Sequence, residues 1–69
     1  MSRLKLLGQN IKKYRNSKGL SQETLAEKVE LSREYIARVE TGVKRISLKK
    51  LFEIADALNV KCSDLINFK

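Results

Sequence analysis

Arg33 and Arg38 stand five residues apart in a short polar stretch that also holds Ser32, Glu34 and Tyr35. A guanidinium donates twice to a planar acceptor, and the guanine edge in the major groove of duplex DNA is such an acceptor. A glutamate can accept from cytosine or simply orient an arginine four residues on, as Glu34 would orient Arg38. Other chemistry is poorly supplied. There is no His and only one Cys, so a zinc site has no ligand set. Glu40 has no second acid, His or metal cluster beside it to make a catalytic constellation. We therefore expect no enzyme activity, no cofactor and no metal. Cys62 cannot form an intrachain disulfide, which suits a reducing cytosol, and it reads most simply as a small apolar packing residue.

The charge balance points the same way. Net charge is +7, from 15 Lys and Arg against 8 Asp and Glu. The first twenty residues carry six bases and no acid, residues 21–40 carry five acids and three bases, and residues 41–69 carry six bases and three acids. Such a chain attracts polyanions, nucleic acid foremost, although lysines also serve solubility alone. No stretch approaches the ~18 apolar residues of a membrane span. No signal region opens the chain, so a cytoplasmic location is expected.

The elements that position these residues read as helices. Leu7, Ile11 and Tyr14 make one face of a first helix, which Gly19 ends. Ser21 caps a second, with Leu25, Ala26 and Val29 inside. Ser32 caps a third, anchored by Ile36 and Val39 and closed by Gly42, with Leu31 turned back into the core. Ser47 opens a fourth, with Leu48, Leu51, Ile54, Ala55 and Leu58 facing inward. A short fifth follows Val60. Its apolar Leu65, Ile66 and Phe68 exceed what one short helix buries, so they are the expected dimer surface. Residues 1–69 thus read as one all-α domain of five helices with short connections, residues 1–5 being flexible. A core of this size contributes only ~3–5 kcal/mol, which favours a homodimer. The third helix is apolar on one side and polar on the other, the form that can enter a major groove.

The pattern Leu7-Gly8, Ile11, Arg15, Gly19-Leu20-Ser21-Gln22, Leu25-Ala26, Val29, Ser32, Ile36, Glu40, Gly42, Leu51, Ala55, Leu58 and Leu65 is similar to the helix-turn-helix of the lambda-repressor and Cro family of bacterial and phage regulators. It runs over nearly the whole chain. The phrase REYIARVETGVKRISL also resembles the controller proteins of restriction–modification systems. The resemblance implies a homodimer on a roughly palindromic operator, repressing transcription and also able to activate it. It makes Arg33, Arg38, Glu34 and Ser32 base-reading candidates, and Gln22, Tyr35, Thr41, Lys44 and Arg45 backbone candidates. It pairs Arg15 with Glu40 as a structural tie. Glu23, Glu27 and Glu30 would face an RNA polymerase subunit bound alongside. The competing reading is a protein-interaction or antitoxin-like module that uses the same fold for assembly. The chain departs from the family where Glu30 replaces a usual Gly, Ile46 a common Pro and Lys61 a common Ser. A non-Gly residue in a left-handed turn costs roughly 1 kcal/mol.

Overall fold

The computed structural model describes residues 2–68. Five helices follow in order: α1 (Arg3–Ser17), α2 (Gln22–Lys28), α3 (Arg33–Glu40), α4 (Leu48–Leu58) and α5 (Cys62–Leu65). All regular structure among the described residues is helical. Four of the five starts use the same device. The hydroxyls of Ser2, Ser21, Ser32 and Ser47 accept from the amides of Lys5, Thr24, Tyr35 and Lys50 at 3.2, 3.0, 3.0 and 3.1 Å. Each satisfies one of the amides a helix start leaves unbonded, worth typically ~1 kcal/mol. At α5, where Lys61 has no hydroxyl to offer, the Asp64 carboxylate accepts from the Lys61 amide at 3.0 Å instead.

Ile11, Leu25, Ile36, Ile54, Leu58 and Leu65 are completely enclosed, so every helix contributes to one core. Helix α2 packs on α3 and α4, α3 packs on α1, and α5 closes the space between α1 and α4. Leu31 is half-buried against this core.

Three sequence expectations need correction. Arg3, Leu4 and Lys5 are helical rather than flexible, because the Ser2 cap starts α1 early; Met1 lies outside the described residues. Leu48 is 69% exposed rather than inward-facing. A helical side chain leans over the turn that precedes it, and the first residue of a helix has no such turn to cover. Leu65, expected at a dimer surface, is fully buried in the monomer core, leaving Ile66 and Phe68 exposed. The tail is held by Asn10, whose amide donates to the carbonyl oxygens of Leu65 and Asn67 at 2.8 and 3.1 Å.

The turn between α2 and α3 is built around Glu30 at φ 57°, the left-handed conformation that a glycine would adopt without strain. Two bonds hold it there. The Leu31 amide donates to the Ala26 carbonyl at 2.9 Å, and the Lys50 ammonium, reaching across from α4, donates to the Val29 carbonyl at 2.7 Å. Gly8 sets how closely α1 approaches α3. A Cβ there would collide with the carbonyl oxygens of Val39 and Glu40, which are backbone atoms and cannot swing aside. Gly8→Ala should therefore force α1 off α3 and cost about 1–3 kcal/mol or more. In a domain of this size each kcal/mol lowers the melting temperature by about 4–8 °C, which a thermal melt followed by circular dichroism would read.

Candidate nucleic-acid interface

Helix α3 is amphipathic by residue spacing. Ile36, Val39 and Glu40 are buried, while Arg33, Glu34 and Arg38 are exposed on the other side. The two arginines are held differently. Arg38 lies 3.8 Å from the Glu34 carboxylate in an i,i+4 pair with both side chains more than half exposed. Such a pair contributes little to stability and can exchange partners readily. Arg33 has no ion-pair partner among the described residues.

Five of the residues singled out in the sequence line one concavity: Ser32, Glu34, Tyr35, Arg38 and Lys44. Tyr35 organises it. Its hydroxyl donates to the Arg45 carbonyl at 2.8 Å, and the Lys44 ammonium lies 5.7 Å from its ring centroid, within cation–π range. The segment between α3 and α4 is thereby folded against the start of α3, with the Lys44 and Arg45 side chains both exposed. Ser32 spends one lone pair of its hydroxyl on the Tyr35 amide. Thr41 is exposed just past the end of α3, its hydroxyl donating to the Arg38 carbonyl at 3.1 Å.

Behind this face, Arg15 and Glu40 meet in a two-pronged bond. Arg15 Nε lies 2.7 Å from Glu40 Oε2 and Nη2 lies 3.1 Å from Oε1, with side-chain exposures of 8% and 1%. The third guanidinium nitrogen, Nη1, donates to the Leu20 carbonyl at 2.7 Å. The amide of Gln22, first residue of α2, donates to Glu40 Oε1 at 3.0 Å. Gln22 is thus not a free clamp at a helix start: its amide is fixed by a carboxylate that Arg15 fixes in turn.

Sequence reasoning missed two residues. Lys50 bonds the Val29 carbonyl and, at 2.9 Å, Glu53 Oε1, so one lysine on α4 pins the turn that aims α3. Asn10 pins the chain beyond α5. The Lys50–Glu53 spacing was visible in the sequence, but the contact with Val29 spans 21 residues and left no local mark. Among the described residues no group of three or more His, Cys, Asp or Glu is placed to hold a metal ion. No helix among them is long and apolar enough to cross a membrane.

Comparison with known proteins agrees with this geometry. Residues 11–65 match the Helix-turn-helix family. The control protein C.BamHI of Bacillus amyloliquefaciens is 41% identical over 64 residues, covering 91% of this chain and 79% of that protein. The crystal structure of the restriction–modification controller protein C.AhdI from Aeromonas hydrophila superposes with a TM-score of 0.87 at 40% identity, covering 90% of this chain and 94% of that one. The biofilm master regulator SinR, solved in complex with DNA, superposes with a TM-score of 0.82 at 32% identity, covering 88% of this chain and 98% of that one.

One stability test follows from the buried pair. Arg15→Ala leaves the Glu40 carboxylate enclosed with only Gln22 for company, and removing one partner of such a pair costs ~3–5 kcal/mol. Chemical denaturation should show a large loss of stability. An unchanged midpoint would mean that the pair is solvated.

Proposed function

The chain belongs to the helix-turn-helix family, and from that premise we propose that it is a sequence-specific regulator of transcription that binds double-stranded DNA as a homodimer. The observation that carries this reading is the cationic outer face of α3, with Arg33 and Arg38 exposed over a buried Ile36–Val39 anchor. Helix α3 lies in the major groove. Arg33 and Arg38 donate to base edges, and Glu34 holds or releases Arg38 as the base pair demands. Gln22, Thr41, Lys44 and Arg45 bond the phosphates on either side and set the register. The similarity to C.BamHI and C.AhdI supports a control protein of restriction–modification type; we place it in the cytoplasm, repressing its target. The exposed acids Glu23, Glu27 and Glu30 give it a face toward RNA polymerase, through which it also activates.

Two-fold symmetry would place two α3 helices about 34 Å apart, one turn of DNA, over a roughly palindromic operator. With Leu65 taken into the core, the dimer surface falls to Ile66 and Phe68, which stay exposed beyond α5. The reading as an assembly module is disfavoured because the outer face of α3 is charged, where a protein-binding face would be apolar.

Two experiments test this. Arg33→Ala should relax base preference at one position of each half-site, whereas Lys44→Ala should weaken preferred and random duplexes alike. Selection from random duplexes followed by titration reads both, and equal shifts on both kinds of DNA would remove Arg33 from base reading. Sedimentation of the wild type should show a dimer that the Ile66→Asp, Phe68→Asp double variant loses. Equal dimerisation of both would move the interface elsewhere.

A further inference from the structure

The interface drawn above leaves α1 out, but the surface at Thr41 continues onto it. Glu34, Arg38 and Thr41 follow one another at i, i+4 and i+7, so they form a single stripe along the exposed side of α3. Where that stripe runs off the helix it enters an open groove of about 380 Å³ between α3 and α1, lined by Lys5, Gln9, Lys12, Glu40 and Thr41. Lys5, Gln9 and Lys12 repeat the same i, i+4, i+7 spacing on α1 and are exposed, while Leu7 and Ile11 on its other side are in the core. Neither lysine makes an ion pair among the described residues, and α1 carries no acid to offer one. The one carboxylate in the groove, Glu40, is already bonded to Arg15 and Gln22. Lys5 is also held in place. Its backbone and Cγ lie where a Cβ on Gly42 would stand, so its stem rests against the end of α3.

We propose that this groove is a second phosphate-binding site, in which Lys5, Gln9 and Lys12 of α1 take the DNA backbone as it leaves Thr41. The proposal rests on the DNA-binding reading above and extends its footprint from the helix-turn-helix onto α1. The two lysines stand about 10 Å apart along the helix axis, seven residues at ~1.5 Å each. A DNA strand carries a charge every ~3.4 Å of its axis, so the pair spans more than one phosphate. Gln9, between them, adds amide N–H donors without charge. Such contacts read no sequence; they add affinity and fix the tilt of the domain on the duplex.

The test compares two double variants of equal net charge: Lys5→Gln with Lys12→Gln, and Lys28→Gln with Lys49→Gln, the latter pair being exposed lysines outside the groove. Affinity for a selected duplex and a random duplex is measured across a salt series, with circular dichroism melts to show that both variants fold. The groove variant should lose about tenfold or more in affinity on both duplexes, with the log–log salt slope shallower by ~0.9 per lysine, while base preference stays unchanged. The control variant should keep a slope close to wild type. If wild type binds with steep salt dependence but the two variants behave alike, the groove is not a phosphate site and the DNA-binding reading survives. If wild type shows no salt-sensitive binding to duplex DNA, both readings fall together.

Discussion

A guanidinium and a carboxylate taken out of water each lose several kcal/mol of hydration, and only close, fully bonded geometry returns it. Arg15 and Glu40 meet that condition. Four hydrogen bonds hold the pair: two between its members, one from Arg15 to the Leu20 carbonyl, and one from the Gln22 amide to Glu40. Together they reach α3, the α1–α2 connection and the start of α2. The pair therefore fixes α1 against α3, the α1–α2 connection against α1, and the first residue of α2 against the last of α3. Without it the apolar core would still gather the helices, but it would not dictate their mutual rotation. The outward side of α3 is defined only relative to that rotation.

The remaining constraints act on the same helix from other directions. Gly8 lets α1 approach the carbonyl end of α3 with no side chain between them. Lys50 fastens the turn ahead of α3 from the side of α4, where Glu30 holds a strained left-handed backbone. Tyr35 ties the segment after α3 back onto its first turn. Helix α3 is only eight residues long, too short to be stable alone, so its order and its direction are both imposed from outside.

The local parts of this arrangement were legible in the sequence. Serine followed by helical apolar spacing marked the starts of α2, α3 and α4, and the step from Ile36 to Val39 separated the inner from the outer side of α3. What depended on distant packing was not legible. Periodicity placed Leu48 inside, because spacing alone does not register that a helix has just begun. Composition could not tell Leu65 from Ile66, since adjacent apolar residues are separated only by where α5 settles between α1 and α4. The resemblance made Gln22 a clamp on phosphate. Its bond to Glu40 crosses 18 residues and carries no signature in spacing. The Arg15–Glu40 tie, 25 residues apart, was legible only through the family resemblance, whereas the Ser2 cap, a local device, went unread.

Glu40 Oε1 accepts from an interior cation and from a surface amide at once. The protein has no wall between what keeps it folded and what it presents to solvent. Thermodynamic linkage then runs in both directions. A ligand gripped through Gln22, as proposed above, would tighten the pair that resists unfolding, and at a hundred times its dissociation constant any ligand specific for the native state adds ~2.7 kcal/mol. Set against a core worth ~3–5 kcal/mol, that increment would be roughly a third to a half of the occupied molecule's resistance to opening. Occupied and unoccupied copies would then differ in lifetime wherever a protease acts on the fraction that opens. Turnover would fall first on copies without a ligand, so abundance would track the number of available binding sites with no dedicated degradation signal.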